Sequence, residues 1–362
     1  MTSLRVLLTA DAVGGVWQYT TELARALRPL GCEPVIALLG PSPNDAQRAD
    51  ATDLRLIDTR LPLDWLSDTP DPVLAAGDAI ARLAADERVD LVHLNQPSLA
   101  ARARFGVPVV AVAHGCVGTW WQAANGTKPG AEYAWADDLT RAGLHAADAV
   151  VAPTASYAAI VRNHHDLPAT PFIVHNGRSP APVAAHKEHA DHVFTAGRLW
   201  DRVKNTALLD RIAGRISVPF RAAGSVQGPH GERAETVHLQ LAGPLDAAAM
   251  TRELAGRPIF ASAATFEPFG LAVLEAAGAG CPLVLSGIDT FRELWTGAAL
   301  FVDGDDADAW VAAIERIRAD PILRDHLGEA ARVRSARYRV QPMARDMAAL
   351  YSRLSGAQAV AA

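Results

Sequence analysis

The sequence predicts an α/β protein made of two Rossmann-like, doubly wound domains, and three observations lead to this prediction. The chain has 362 residues, which is too many for one ordinary core. Short apolar runs alternate with amphipathic stretches, as expected of parallel strands covered by helices on both faces. The alternation stops at a polar, proline-containing segment, 178–191, and then starts again. We therefore expect one domain over 1–180 and a second over 181–338.

The first domain is predicted from apolar runs of strand length and from stretches with apolar residues at helical spacing. Strands are expected at 5–9, 34–39, 54–57, 90–94, 107–113, 149–151 and 171–174. Helices are expected at 16–28, 72–86, 130–146 and 154–164.

The second domain repeats the rhythm of strand and helix without repeating the sequence of the first. Strands are expected at 192–196, 220–223, 237–242, 258–262, 282–285 and 298–302. Helices are expected at 204–215, 246–254, 270–279, 306–318 and 321–335, followed by an amphipathic stretch at 342–354.

Composition narrows the class of protein. Half of the residues are hydrophobic and a fifth are charged, which is typical of a globular protein. A net charge of −6 argues against nucleic acid as the main partner and gives no polybasic face for anionic lipids. Three scattered cysteines, Cys32, Cys116 and Cys281, indicate neither a disulfide framework nor a zinc site. With no signal peptide and no transmembrane segment, we expect a cytoplasmic protein, with peripheral membrane contact left open.

Two glutamates, Glu267 and Glu275, stand eight positions apart in the most informative part of the chain. A break at 268–270 precedes a short helix, and a small-residue turn and an apolar strand follow. The N-terminus of a helix offers free N–H groups and partial positive charge, which suit a phosphate. Carboxylates on either side suit sugar hydroxyls. A lone glutamate pair is more often a solvated surface, but the ordered series of elements favours a binding site.

Two cations flank the start of another helix in the second domain. Arg198 follows the end of a strand at Gly197, and Lys204 precedes the next helix. Placed there, two cations can neutralise a diphosphate. The alternative is a pair of surface cations, and Arg202 on the same loop competes with Arg198.

Gly14 and Gly15 lie between the first strand and the first helix. Paired glycines let the backbone approach a ligand closely at the start of a helix. The spacing is not that of the dinucleotide fingerprint. Two aromatic residues on the following helix, Trp17 and Tyr19, either pack in the core or stack on a sugar ring.

His114 ends a buried strand, a position at which histidine is more often structural. Trp120 and Trp121 follow it closely. Adjacent residues of a strand face opposite sides. One tryptophan is therefore expected in the core and the other as a platform for an acceptor.

These motifs closely resemble those of glycosyltransferase family 4, the retaining, glycogen-synthase-like enzymes with the GT-B fold. The resemblance implies two domains facing a cleft, with a C-terminal helix at 339–362 that crosses back onto the first domain. In the E-x7-E motif, Glu267 would hold hydroxyls of the transferred sugar and Glu275 the ribose of the nucleotide. The backbone amides at 269–271, which are Phe269, Gly270 and Leu271, would lie near the diphosphate and the sugar.

The same resemblance assigns roles to the other motifs. Arg198 and Lys204 match the family's Arg-x5-Lys pair and would bind the pyrophosphate. The loop with Gly14 and Gly15 would lie near the donor phosphate and the acceptor, and His114 would contact the transferred sugar. The predicted catalytic residues are thus His114, Arg198, Lys204 and Glu267. Trp17, Tyr19, Trp120 and Trp121 are the candidates for the acceptor side.

The implied activity is metal-independent, retaining transfer of a hexose-type sugar from a UDP-, GDP- or ADP-sugar to a hydroxyl acceptor. The acceptor would be a sugar or a small molecule, and the acidic balance slightly favours a soluble one. No cofactor is implied, because the helix dipole and the two cations would replace a metal. Attack from the front face of the sugar would require no protein nucleophile. Two alternatives remain, a GT-B epimerase or phosphorylase and a non-catalytic nucleotide-sugar binding protein.

Overall fold

The fold is taken from a computed structural model that describes residues 3–179 and 189–361, with side chains as far as 356. The chain divides into two compact units. Unit 1 consists of Met1–Gly177 and Val340–Ala362, and unit 2 consists of Arg178–Arg339. The domain boundary predicted between 180 and 181, and most of the predicted linker at 178–191, fall outside the described residues.

Unit 1 is organised around a parallel sheet of seven described strands. Their spatial order is β3-β2-β1-β4-β5-β6-β7. The strands are β1 Leu4–Asp11, β2 Cys32–Leu39, β3 Arg55–Leu61, β4 Leu91–Leu94, β5 Val109–Val112, β6 Ala149–Ala152 and β7 Phe172–Ile173. The connecting helices are α1 Gly15–Leu27, α2 Asp45–Asp50, α3 Pro70–Asp86, α4 Val117–Asn125, α5 Ala131–Ala146 and α6 Ala155–His164.

Both faces of the central strands of this sheet are buried. On one face, Leu7 and Val92 pack with Ile80 of α3. On the other, Val6 and Leu8 of β1 pack with α1 and with the C-terminal helix. That helix packs on α1 within unit 1, as the resemblance predicted, with Met343, Met347 and Leu350 at most 2% exposed.

Unit 2 is built in the same way around six described parallel strands, in the order β10-β9-β8-β11-β12-β13. The strands are β8 Val193–Ala196, β9 Phe220–Ala223, β10 Gln240–Gly243, β11 Ile259–Ser262, β12 Leu283–Ser286 and β13 Ala299–Val302. The helices are α7 Thr206–Ala213, α8 Ala247–Ala255, α9 Leu271–Gly278, α10 Asp289–Trp295, α11 Ala307–Ala319 and α12 Pro321–Ser335; the C-terminal helix of unit 1 is α13, Val340–Ala361.

Two apolar layers cover the second sheet. One contains α9 and α10 and is filled by the fully buried Trp295 and Phe291. The other contains α7 and α11 and includes the fully buried Trp310. Two separate cores under two doubly wound sheets confirm the predicted fold class.

Three helices were not predicted, namely α2, α4 and α10. The helix α4 changes one interpretation, because Trp120 and Trp121 lie on it and not on a strand. In the part of the chain with described coordinates, every helix is too short or too polar to serve as a membrane span.

Candidate functional site

The strand order of each sheet reverses at one place, and the predicted site residues follow the strands there. In unit 1 the reversal lies between β1 and β4, and in unit 2 it lies between β8 and β11. Ligands of doubly wound sheets bind beyond the carboxyl ends of the strands at such a switch point. Gly14 follows β1, whereas Arg198 follows β8 and Glu267 follows β11.

In unit 2 the turn before α9 brings free amides and a carboxylate together. Gly270 is the N-cap of α9 and has a φ of 91°, a left-handed conformation that favours glycine. The first backbone hydrogen bond of the helix runs from Leu274 N–H to Gly270 O, at 3.0 Å. The amide groups at 271–273 thus mark the positive end of the helix dipole. Glu267 lies in the loop before this helix, and Glu275 lies within it, as predicted.

Lys204 and Glu267 form an ion pair beside that helix start. Their side chains are 20% and 17% exposed, so the pair is partly shielded from water. Both residues line a small pocket together with Gly197 and Gly270. The structure therefore brings together a cation from one sequence motif with a carboxylate and a helix N-terminus from another.

Arg198, the other predicted diphosphate ligand, is more exposed. Its guanidinium pairs with Asp201 at 2.9 Å and lies 5.6 Å from the ring centroid of Trp200. The side chain of Arg198 is 58% exposed, whereas that of Asp201 is 2% exposed. Asp201 thus anchors the cation to the loop that follows β8.

Glu275 has a partner that the sequence did not reveal. Arg178 Nη2 lies 2.6 Å from Glu275 Oε1, and the two side chains are 15% and 20% exposed. Arg178 directly follows Asn176 and Gly177, and Asn176 lies two positions after the last apolar run predicted in the first domain.

In unit 1 the loop after β1 is ordered by a carboxylate. The N–H groups of Val13 and Gly14 donate to Asp11 Oδ1 at 2.9 and 3.2 Å. Gly14 and Gly15 are exposed at the start of α1. The loop therefore presents backbone at the carboxyl end of β1, as expected of a ligand-binding turn.

His114 lies just beyond β5, and its imidazole forms a hydrogen bond with the side chain of Asn95. His114 Nε2 is 2.8 Å from Asn95 Oδ1, and the imidazole packs edge-on against the ring of Tyr19, with centroids 4.4 Å apart. Burial lowers the pKa of His114 to about 3, so the ring is neutral at ordinary pH. Asn95 directly follows β4 at the switch point, and sequence reasoning missed it.

Two of the aromatic candidates for the acceptor side prove to be core residues. Trp17 is 5% exposed and Tyr19 is 2% exposed, and each packs in an apolar cluster of unit 1. The sugar-stacking role proposed for them is therefore corrected to the packing role that the sequence had left open.

The other two candidates remain partly accessible. Trp120 and Trp121 are half-buried and sit on consecutive positions of α4. Their ring centroids are 6.3 Å apart, and Trp121 also lies 5.3 Å from the ring of Tyr133. Helix α4 follows β5 and His114, so the two tryptophans lie at the carboxyl edge of the sheet.

A second polar cluster lies beneath α4. His165 Nε2 is 3.4 Å from Cys116 Sγ, and His165 Nδ1 is 3.8 Å from Asp137 Oδ1. The two neighbours thus face opposite nitrogens of one ring. Burial raises the pKa of the Cys116 thiol to about 11 and lowers that of His165 to about 4. The groups thus form a polar cluster between the N-cap of α4, helix α5 and the C-cap of α6.

Comparison with known proteins agrees with this geometry. The family model described as Glycosyltransferase Family 4 matches residues 13–181, and the one described as Glycosyl transferases group 1 matches residues 233–334. Sucrose-phosphate synthase from Thermosynechococcus elongatus has a similar structure, with a TM-score of 0.78, 19% identity, and coverage of 98% of this chain and 100% of that one. HepE from Anabaena, solved in complex with UDP-glucose, has a TM-score of 0.74, 16% identity, and coverage of 97% and 100%.

A curated relative matches over a shorter stretch. The O-antigen chain mannosyltransferase RfbU of Salmonella typhimurium is 38% identical over 55 residues. The match spans 15% of this chain and 16% of the length of that relative.

The chain has two doubly wound units, with the predicted site residues at their switch points. Together with these matches, this identifies the chain as a glycosyltransferase with the GT-B fold. Within that class, the chain belongs to the family 4 type.

Proposed function

We propose that the protein transfers a sugar from a nucleotide-diphosphate donor to a hydroxyl acceptor with retention of the anomeric configuration and without a metal ion. The observation that carries the proposal is the Lys204–Glu267 pair beside the N-terminus of α9, at the switch point of unit 2. One cation, one carboxylate and a row of free amides match a phosphate joined to a sugar.

The donor would replace contacts that the protein now makes with itself. A diphosphate bound next to Lys204 would replace Glu267 as the partner of this cation. Glu267 would then accept hydrogen bonds from hydroxyls of the sugar. Glu275, which is paired with Arg178, would accept a hydrogen bond from a ribose hydroxyl. UDP-sugars are the first donors to test, because HepE, a protein of the same fold, was solved with UDP-glucose.

The chemical step needs stabilised negative charge on the leaving group. The acceptor oxygen would bond to the anomeric carbon as the bond from that carbon to the phosphate oxygen breaks. Attack on the face that the phosphate leaves gives retention, and the departing phosphate takes the proton of the acceptor hydroxyl. Lys204, Arg198 and the α9 dipole would stabilise the developing diphosphate charge, the task that a metal ion performs in other phosphate-transferring sites.

Nucleotide binding and donor turnover test this proposal. Unfolding of the purified chain is followed with UDP, GDP, ADP and dTDP, each with and without EDTA. A nucleotide at one hundred times its dissociation constant should stabilise the protein by about 2.7 kcal/mol. Release of that nucleotide from its sugar donor, unaffected by EDTA, supports transferase chemistry, and NMR of the product reports the anomeric configuration.

Different outcomes would reject different parts of the proposal. Binding of none of the four nucleotides would reject the donor site. Loss of turnover in EDTA, with recovery on adding a divalent ion, would reject metal independence. Binding without release of nucleotide, even with acceptor sugars present, would point to a binding protein.

A further inference from the structure

A group of buried polar side chains lies beneath His114 in unit 1. Thr9, Thr20 and His93 are 0% exposed, and Asn95 is 6% exposed. Buried polar groups are costly unless they are hydrogen-bonded, so each contact in such a network is constrained. These contacts are enough to determine which atom donates and which accepts in the hydrogen bond between Asn95 and His114.

The orientation of the Asn95 amide follows from its contact with β1. Asn95 Nδ2 lies 2.5 Å from the carbonyl oxygen of Thr9 and 2.9 Å from Thr20 Oγ1. A carbonyl oxygen only accepts hydrogen bonds, so the amide nitrogen of Asn95 must face it. The amide oxygen Oδ1 must therefore face the two histidines.

The orientation of the amide then sets both imidazoles. Asn95 Oδ1 lies 2.9 Å from His93 Nε2 and 2.8 Å from His114 Nε2. Because this oxygen only accepts, both Nε2 atoms carry the proton. In neutral rings both Nδ1 atoms are then acceptors, and His93 Nδ1 accepts from Tyr351 Oη at 2.6 Å.

We propose that Asn95 is a positioning residue that fixes His114 as the Nε2–H tautomer, with Nδ1 as a hydrogen-bond acceptor for a hydroxyl of the bound sugar. The proposal rests on the proposed function only where it names the sugar as the partner of Nδ1. The tautomer itself is a property of the ligand-free protein.

Two further observations support the assignment. Burial lowers the pKa of His93 to about 4 and that of His114 to about 3, so neither ring gains a second proton near neutral pH. Burial also raises the pKa of Tyr351, so its hydroxyl keeps the proton that it donates to His93. Tyr351 lies on the C-terminal helix, α13. Its hydrogen bond to His93 connects this helix to His114 through Asn95, in addition to the apolar packing of the helix.

The tautomer determines what the site can recognise. A neutral Nδ1 accepts a hydrogen bond from a hydroxyl group and repels the lone pairs of a phosphate oxygen. His114 would therefore select a sugar hydroxyl that acts as donor and would disfavour a phosphate oxygen. Without Asn95, either nitrogen of His114 could carry the proton, and part of the population would present a donor.

The test is a nitrogen-15 NMR measurement on the full-length, ligand-free protein with labelled histidines at pH 7. Multiple-bond proton–nitrogen spectra distinguish protonated from unprotonated ring nitrogens, and the His114→Gln variant identifies the signals of His114. We expect a single neutral tautomer with the proton on Nε2. A proton on Nδ1, or a mixture of tautomers in the wild type, would overturn the inference.

Two variants separate Asn95 from the rest of the network. Tyr351→Phe removes one hydroxyl and should change the signals of His93 while those of His114 keep the Nε2–H pattern. Asn95→Leu, of similar size, should give His114 a mixed tautomer and lower donor turnover about tenfold, the equivalent of one neutral hydrogen bond. Unchanged His114 signals in Asn95→Leu would refute the positioning role.

The activity measurement uses the donor identified by the nucleotide panel. Tautomer loss in a folded Asn95→Leu protein with wild-type turnover would show that the tautomer has no role in transfer. Failure of all four nucleotides to bind would reject the proposed function, whereas the spectra of the wild type and of Tyr351→Phe would still decide the tautomer.

Discussion

At the residue scale, the proposed donor site of unit 2 contains two ion pairs of opposite charge that a bound donor would separate. Lys204 and Glu267 neutralise each other, and so do Arg178 and Glu275. A partly buried charge needs such a partner, because desolvation is costly. A diphosphate and a set of sugar hydroxyls can make the same kinds of contact, so under the proposed function each pair would keep its members oriented for the donor.

Replacing Lys204 by Ala should lower donor turnover by two orders of magnitude or more. One preorganised charge contact to a developing negative charge is worth about 3 kcal/mol in the transition state. The matched control is Lys128→Ala, which removes an exposed lysine of unit 1. Initial rates of nucleotide release measure both variants. Turnover within threefold of wild type in Lys204→Ala would contradict the role of this cation in the chemical step.

Sequence reasoning found the residues that belong to motifs and missed those whose roles depend on distant partners. Glu267 and Lys204 were identified by spacing within short segments. Asn95 and Arg178 belong to no such segment. Their roles follow from contacts with residues elsewhere in the sequence, His114 for Asn95 and Glu275 for Arg178. The available signal for Asn95 was its position after a buried strand, but only the strand order shows that this strand borders the switch point.

At the element scale, strands were easier to predict than short helices. Each described strand overlaps a predicted apolar run. The inner strands, such as β4, β5 and β12, are continuously buried and apolar or nearly so, because helices cover both of their faces. The helices that were missed have six, nine and seven residues, which is too short for a helical period to emerge. Placing the tryptophan pair on a strand was wrong for this reason, since α4 was not recognised as a helix.

Helix α9 has one glycine at its N-cap and another in its last turn, and the two should respond to alanine in opposite ways. Gly270 has a φ of 91°, and a Cβ atom there would lie 3.0 Å from the ring of Phe291. Gly270→Ala should therefore destabilise the protein by about 1–2 kcal/mol. Gly278, in the last turn, would place its Cβ 3.9 Å from Ser335 Oγ, an ordinary contact. Gly278→Ala should stabilise it by about 0.5–1 kcal/mol.

Urea unfolding of the two variants measures both effects in the same helix. Equal changes of one sign would show that the conformation at the start of α9 does not require glycine. A neutral Gly270→Ala substitution combined with unchanged nucleotide affinity would also remove the structural argument for a phosphate site at this turn.

At the scale of the whole molecule, the two units share an architecture but differ in their buried ionisable groups. In unit 1, burial lowers the pKa of His93 and His165 to about 4 and that of His114 to about 3. In the described part of unit 2, burial lowers the pKa of His192, which is paired with Glu253. The free energy of unfolding of unit 1 should therefore depend more strongly on pH than that of unit 2.

Unit 1 should lose stability before unit 2 as the pH falls from 7 to 5. An unfolded chain protonates its histidines near pH 6.5, whereas the folded His93, His114 and His165 stay neutral to about pH 4. The unfolded state thus binds more protons in this window, and each histidine lowers the free energy of unfolding by up to about 1.4 kcal/mol per pH unit. Above pH 7 the contribution is fully present.

Hydrogen exchange followed by mass spectrometry separates the two units, because each peptide reports on its own part of the chain. After correction for intrinsic exchange rates, peptides of β1, β4 and β5 should lose more protection at pH 5 than peptides of β11 and β12. His93→Gln removes one buried titrating group and should reduce this loss in unit 1, whereas His326→Gln, at an exposed position of unit 2, should leave it unchanged. Equal loss of protection in both units would mean that the neutral histidines of unit 1 do not control its acid stability.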